Sequence, residues 1–66
     1  MNSVTEYLMH DGNYDIPLVQ HENGMHSAYA IDRDSGETVF AVTDITVFKT
    51  IAAIYERLHP VSTENR

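Results

Sequence analysis

Cysteine and tryptophan are absent from this chain of 66 residues, proline occurs twice and glycine three times, and basic side chains are scarce at four. Without cysteine there is no disulfide and no thiolate metal site, so a small core has no covalent staple and oligomerisation becomes the natural reinforcement. A chain this short buries only about 60% of its unfolded surface, which leaves its stability marginal. A homodimer is the expectation. The lack of cysteine is compatible with a cytoplasmic protein, which is the location we expect. No apolar run approaches the ~20 residues of a membrane span, and Met1-Asn2-Ser3 carries no basic leader, so neither membrane nor signal peptide is expected. Against four basic residues stand ten acidic ones, a formal charge of −6. That balance repels phosphate backbones and anionic lipid, which argues against direct nucleic-acid binding.

What is present reads as one α+β domain over 1–66, with a core of about 13–59 and a polar, frayed tail at 61–66. Ser3-Val4-Thr5-Glu6 has the spacing of a capping box, so a short N-terminal helix is expected, with Val4, Tyr7 and Leu8 on one face. Gly12-Asn13 breaks it. Three strands follow, Tyr14 to His21, Met25 to Asp32 and Glu37 to Thr43, forming an antiparallel meander of order 1-2-3. Pro17 has no amide hydrogen to give to a ladder, so the first of these strands is expected at the sheet edge.

Asn23-Gly24 is favoured as a two-residue type I′ turn, which places Leu18 opposite Tyr29, Ile16 opposite Ile31 and His21 opposite His26. A second two-residue loop at Ser35-Gly36 sets Ile31 against Phe40 and Tyr29 against Val42. Both turns sort Tyr14, Ile16, Leu18, Tyr29, Ile31, Phe40 and Val42 onto one core face. After Thr43 the apolar period lengthens to about 3.6. Ile45, Phe48, Ile51, Ala52, Tyr55 and Leu58 form the stripe of a C-terminal helix, widened by Val47 and Ile54, with Asp44 as N-cap and an end near His59 before Pro60. The architecture expected is therefore (α)βββα, and Phe48 is expected in the core.

The same registers put Asp15, Pro17, Val19, His21, His26, Ala28, Ala30, Asp32, Val39, Ala41 and Thr43 on the outer face. Its middle is apolar where a solvated sheet face alternates to polar residues. Three occupants suit it: the N-terminal segment through Tyr7, Leu8 and Met9, a second copy of the chain, or another protein. Asp15 and Asp32 face each other at its far end, with Asp34 and Glu37 nearby, an acidic patch fit to dock a basic protein surface. His21 and His26, as cross-strand neighbours, stand close enough to share a metal ion if His10 or Glu22 supplies a third ligand, and two adjacent imidazoles would also respond to pH. No nucleophile motif, phosphate loop or zinc signature occurs, so no cofactor is expected and catalysis is not indicated.

These features lead to an expectation of a small acidic, non-enzymatic protein-binding module, an inhibitor or regulatory adaptor of the kind phages and mobile elements encode. Its contact residues are Asp15, Pro17, Val19, Ala28, Ala30, Asp32, Asp34, Glu37, Val39 and Ala41. The alternatives are an accessory subunit completed by an obligate partner and a histidine-dependent metal-binding protein.

Overall fold

A computed structural model describes residues 3–61. Four strands, β1 (Val4–Asp11), β2 (Tyr14–Gln20), β3 (His26–Asp32) and β4 (Thr38–Asp44), form an antiparallel meander of order β1-β2-β3-β4, followed by helix α1 (Val47–Leu58). The class is α+β, with one strand more than the sequence suggested. Among the described residues no helix is long and apolar enough to cross a membrane. Beyond Val61, the tail expected at 61–66 lies outside the described residues.

The N-terminal segment is a strand rather than a helix, and Gly12-Asn13 is the tight turn of a hairpin in which Asp11 faces Tyr14. Gly12 has φ of +59° and Asn13, like every other described non-glycine residue, does not take positive φ, which is the type II′ pattern with glycine at the first central position. β1 therefore pairs with β2 instead of covering a sheet face. Its ladder slips between Thr5 and Tyr7, so Glu6 stands unpaired in a bulge.

With β1 outside it, β2 is an inner strand and Pro17 is not at an edge. The sheet accommodates the proline locally. The β2–β3 register runs from Asp15 opposite Ile31 to Leu18 opposite Ala28 with no pairs formed at Ile16 and Pro17, where the proline amide cannot donate.

The β2–β3 connection corrects the central expectation. Gly24 N–H donates to His21 C=O at 2.9 Å, His21 N–H donates to Met25 C=O at 2.8 Å, and Gly24 takes φ of +89°. This is a three-residue loop, Glu22-Asn23-Gly24, in which only glycine carries the left-handed conformation. Asn23 stays at negative φ and its side-chain oxygen accepts from Met25 N–H at 2.9 Å. Leu18 consequently faces Ala28 rather than Tyr29, a shift of one residue that turns β3 over. The β3–β4 loop is likewise longer than two residues. Gly36 N–H donates to Asp32 C=O at 2.7 Å and Asp32 N–H to Glu37 C=O at 2.9 Å, enclosing residues 33–36, and Ala28 faces Val42 and Ala30 faces Phe40.

The core under the helix is Ile16, Leu18, Ala28, Ala30 and Ile54, all at 0% exposure, with Met9, Tyr14, Phe40, Val42, Val47, Ile51, Tyr55 and Leu58 packed around it. Ala28 and Ala30 thus leave the proposed contact surface for the interior, and Tyr29 and Ile31 leave the core for the open face. Helix α1 is capped by Thr46, whose hydroxyl accepts from Lys49 N–H at 3.1 Å, while Asp44 ends β4. Starting there, residues 47, 50, 51, 54 and 58 form one continuous stripe, and Phe48 and Ala52 lie about 100° around the axis from Val47 and Ile51. Phe48 is accordingly 81% exposed, not buried. Thr50 sits in the stripe because its hydroxyl donates to Thr46 C=O at 2.7 Å, which satisfies it without water.

This placement predicts that Leu18→Ala or Ile54→Ala lowers unfolding stability by about 2–5 kcal/mol. Phe48→Ala changes it by no more than about 0.5 kcal/mol. Chemical denaturation of the three variants measures both.

Candidate functional site

Helix α1 covers one side of the sheet, packing on β3 and β4, and the other side carries no second layer among the described residues. Because side chains alternate, the register assigns that open side Leu8 and His10 from β1, Asp15, Pro17 and Val19 from β2, Ser27, Tyr29 and Ile31 from β3, and Ala41 and Thr43 from β4. Leu8 faces Pro17 and Tyr29 faces Ala41, and the β2–β3 register sets Pro17 beside Tyr29. The result is an apolar row crossing all four strands. Leu8 is 58% exposed, Ala41 is exposed, and Pro17, Val19, Tyr29 and Ile31 are half-buried. Val39, at the β4 irregularity, is exposed as well.

Polar rows border this strip on both sides. Toward the Gly24 turn, Ser27 Oγ lies 2.6 Å from His21 Nε2 and 2.7 Å from Thr43 Oγ1, and His21 Nδ1 lies 2.9 Å from Ser3 Oγ. The His21 ring lies over Ser27 and leaves it 2% exposed, with its hydroxyl hydrogen-bonded on both sides. A serine beside a histidine nitrogen suggests a nucleophile and its base. Here the hydroxyl is shut away and the second ring nitrogen meets Ser3 rather than a carboxylate, so the geometry fixes a loop and offers a substrate nothing to meet. The adjoining depression, about 490 Å3 in volume and open to solvent, is lined by Ser3, His21, Glu22 and Asn23.

At the opposite end, Asp15 accepts from Arg33 Nε at 2.9 Å and lies 2.8 Å from His10 Nδ1. The hydrogen bond with His10 is the largest cause of a lowered Asp15 pKa; partial desolvation pushes the other way, and the Arg33 hydrogen bond and charge pull it down again. Arg33 also donates to Gly12 C=O at 3.2 Å, which ties the two turns at this end together.

The expected acidic patch is divided by the corrected register. Asp15 faces Ile31 on the open side, whereas Asp32 faces Tyr14 on the helix side. Asp32 accepts from Asn13 Nδ2 at 3.0 Å and from Asp34 N–H at 2.8 Å, and Asp34 accepts from Asn13 Nδ2 at 3.1 Å. These carboxylates brace a loop. Glu37 is exposed just after it, its N–H donating to Ser35 Oγ at 3.2 Å.

The histidines are dispersed too. His26 is not opposite His21; it lies on the helix side at 8% exposure, 3.0 Å from Glu6 Oε1, while His10 is about 20 Å along the sheet from His21 at the ordinary rise per residue. Among the described residues no group of three or more histidines and carboxylates is placed to hold a metal ion. The bulge in β1 explains the His26 contact, since it frees Glu6 to reach across β2. Of the anticipated contact residues, then, Asp15, Pro17, Val19 and Ala41 share the open face and Val39 lies at its border. Leu8, Tyr29 and Ile31 were missed, although Gly12-Asn13 carries the hairpin signal that would have brought in Leu8.

A carboxyl whose folded pKa is depressed stabilises the fold above its unfolded pKa, and the benefit disappears as pH falls through the folded value. Wild type should therefore exceed Asp15→Asn in thermal midpoint near neutrality. The gap should close as pH falls below the ordinary carboxyl value of 3.8, and a pH series of melting curves reads it.

Comparison with family models, with curated proteins and with solved structures finds no match to this chain.

Proposed function

We propose that the chain is a small acidic, non-enzymatic protein-binding module, acting as an inhibitor or regulatory adaptor, and that the helix-free face of its sheet is the docking surface. The observation that carries this reading is the apolar row Leu8, Pro17, Tyr29 and Ala41, extended by Val19 and Ile31 and bordered by polar rows. An apolar centre with a polar rim is the anatomy of a protein interface, and a solvated antiparallel sheet normally shows polar side chains on its outer face. Tyr29 supplies the aromatic anchor such interfaces favour. The flat shape suits a protein better than a small molecule, which needs enclosure.

Docking a basic partner on Asp15, Asp32, Asp34 and Glu37 has weaker support. Asp15 is already paired with Arg33, and Asp32 and Asp34 are engaged in loop hydrogen bonds on the other side of the sheet.

Photocrosslinking in cells tests the proposal. A benzophenone amino acid at Leu8 or Ala41 should yield discrete protein adducts, while the same group at exposed Glu56 on α1 should not. Absence of adducts from the open face, or equal labelling from Glu56, contradicts it.

A further inference from the structure

We infer that the occupant of the open sheet face is a second copy of this chain, stacked sheet on sheet about a two-fold axis through the Pro17–Tyr29 row. This rests on the open face being the docking surface and names its partner. The first argument is charge. The chain carries −6 overall, yet the register places a single carboxylate, Asp15, on this face. Asp15 is held by Arg33 at 2.9 Å and lies 2.8 Å from His10. The acidic residues Glu22, Asp34, Glu37 and Glu56 lie in turns or on the helix, outside the strands that build the face. A partner selected by opposite charge would be met elsewhere on the molecule. A neutral, apolar face is complementary to another neutral, apolar face, and the chain's own copy supplies one.

The second argument is area. Four strands spaced about 4.8 Å apart, each about seven residues at roughly 3.3 Å, present a plane of about 440 Å2. Two such faces total about 880 Å2 in projection, close to but below the roughly 1,000 Å2 of a specific interface, so the dimer needs the whole face and sits at the small end of the size range. Aligned sheets pack about 10 Å apart at roughly 30°, and a two-fold through the central row sets Tyr29 of each copy against Pro17 of the other. Leu8 and Ala41, at the two ends of the row, then exchange contacts across the axis. This arrangement also gives the thin molecule the second layer it lacks, which is how a chain of this size gains stability without disulfides.

Sedimentation equilibrium of the full chain tests the inference. It should show twice the 7.5 kDa monomer mass. Raising salt from about 0.05 to about 0.5 M should tighten the dimer, because screening relieves repulsion between two acidic copies. Ala41→Arg should weaken it at least ~10-fold, equivalent to about 1.4 kcal/mol, without altering the circular dichroism spectrum, since Ala41 is exposed; Tyr29→Arg should do the same. A monomer at all concentrations, a dimer that Ala41→Arg leaves intact, or one that salt dissolves overturns the inference. Face-specific crosslinks to a different protein from a monomeric chain would also overturn it while leaving the docking surface standing. A monomer with no face-specific crosslinks would remove both.

Discussion

Among the described residues positive φ is confined to glycine, and that constraint decides which side chains share a face. A two-residue type I′ turn at Asn23-Gly24 would need both residues in the left-handed region, and asparagine enters it at a cost. The chain instead uses one glycine, Gly24, at the end of a three-residue loop, with Asn23 bonding back to Met25 N–H. The difference of one residue inverts β3. Ala28 and Ala30 turn under the helix, where their small side chains leave room for Ile54 among the larger groups around it, and Tyr29 and Ile31 turn outward. An interior of alanines beneath a helix and an exterior centred on tyrosine and proline both follow from that loop.

Much of the architecture was legible in the sequence. Strands at Tyr14, Met25 and Glu37, the change of period after Thr43, the stop at Pro60 and the inward face of Ile16 and Leu18 could all be read from alternation and breakers. Phe40 and Val42 also fall on the core side as expected, but for a reason that conceals an error. Both turns were taken one residue too late in pairing, so β3 was inverted relative to each neighbour and the two slips cancelled between β2 and β4. Turn type was the illegible quantity, because Asn-Gly serves a type I′ turn and a type I turn with a glycine bulge equally well. The first strand was hidden by mimicry: Ser3 and Glu6 have capping-box spacing, and Val4, Tyr7 and Leu8 fall three and four apart. Glu6 serves a bulge instead, reaching His26. The alternation-breaking bulge also scrambled the period-two signal that would have marked a strand. Pro17 misled in the same way, since a single missing donor inside a ladder is tolerated when β1 completes the other side of the strand.

The candidate site was half legible for the same cause. Pro17, Val19 and Ala41 were assigned outward from strands whose orientation was right, while Ala28 and Ala30 came from the inverted one. The inversion makes the face more suited to association, because aromatic and branched aliphatic groups replace two methyls. It also separates charge from apolar surface. Asp32 and Asp34 brace the Gly36 loop, Asp15 is neutralised by Arg33, and Asp11 meets His59 beyond the end of the helix. Most of the acidity therefore lies away from the apolar row Leu8, Pro17, Tyr29 and Ala41.

Nuclear Overhauser contacts between α-protons test the strand register most directly. The bond from His21 N–H to Met25 C=O makes that pair hydrogen-bonded, so alternate pairs along β2 and β3 are the close, non-bonded kind with α-carbons about 4.5 Å apart. The account predicts strong α-proton contacts between Gln20 and His26 and between Leu18 and Ala28. Contacts between Val19 and Ala28 and between His21 and His26 in their place would restore the two-residue turn, return tyrosine to the core and remove the apolar face.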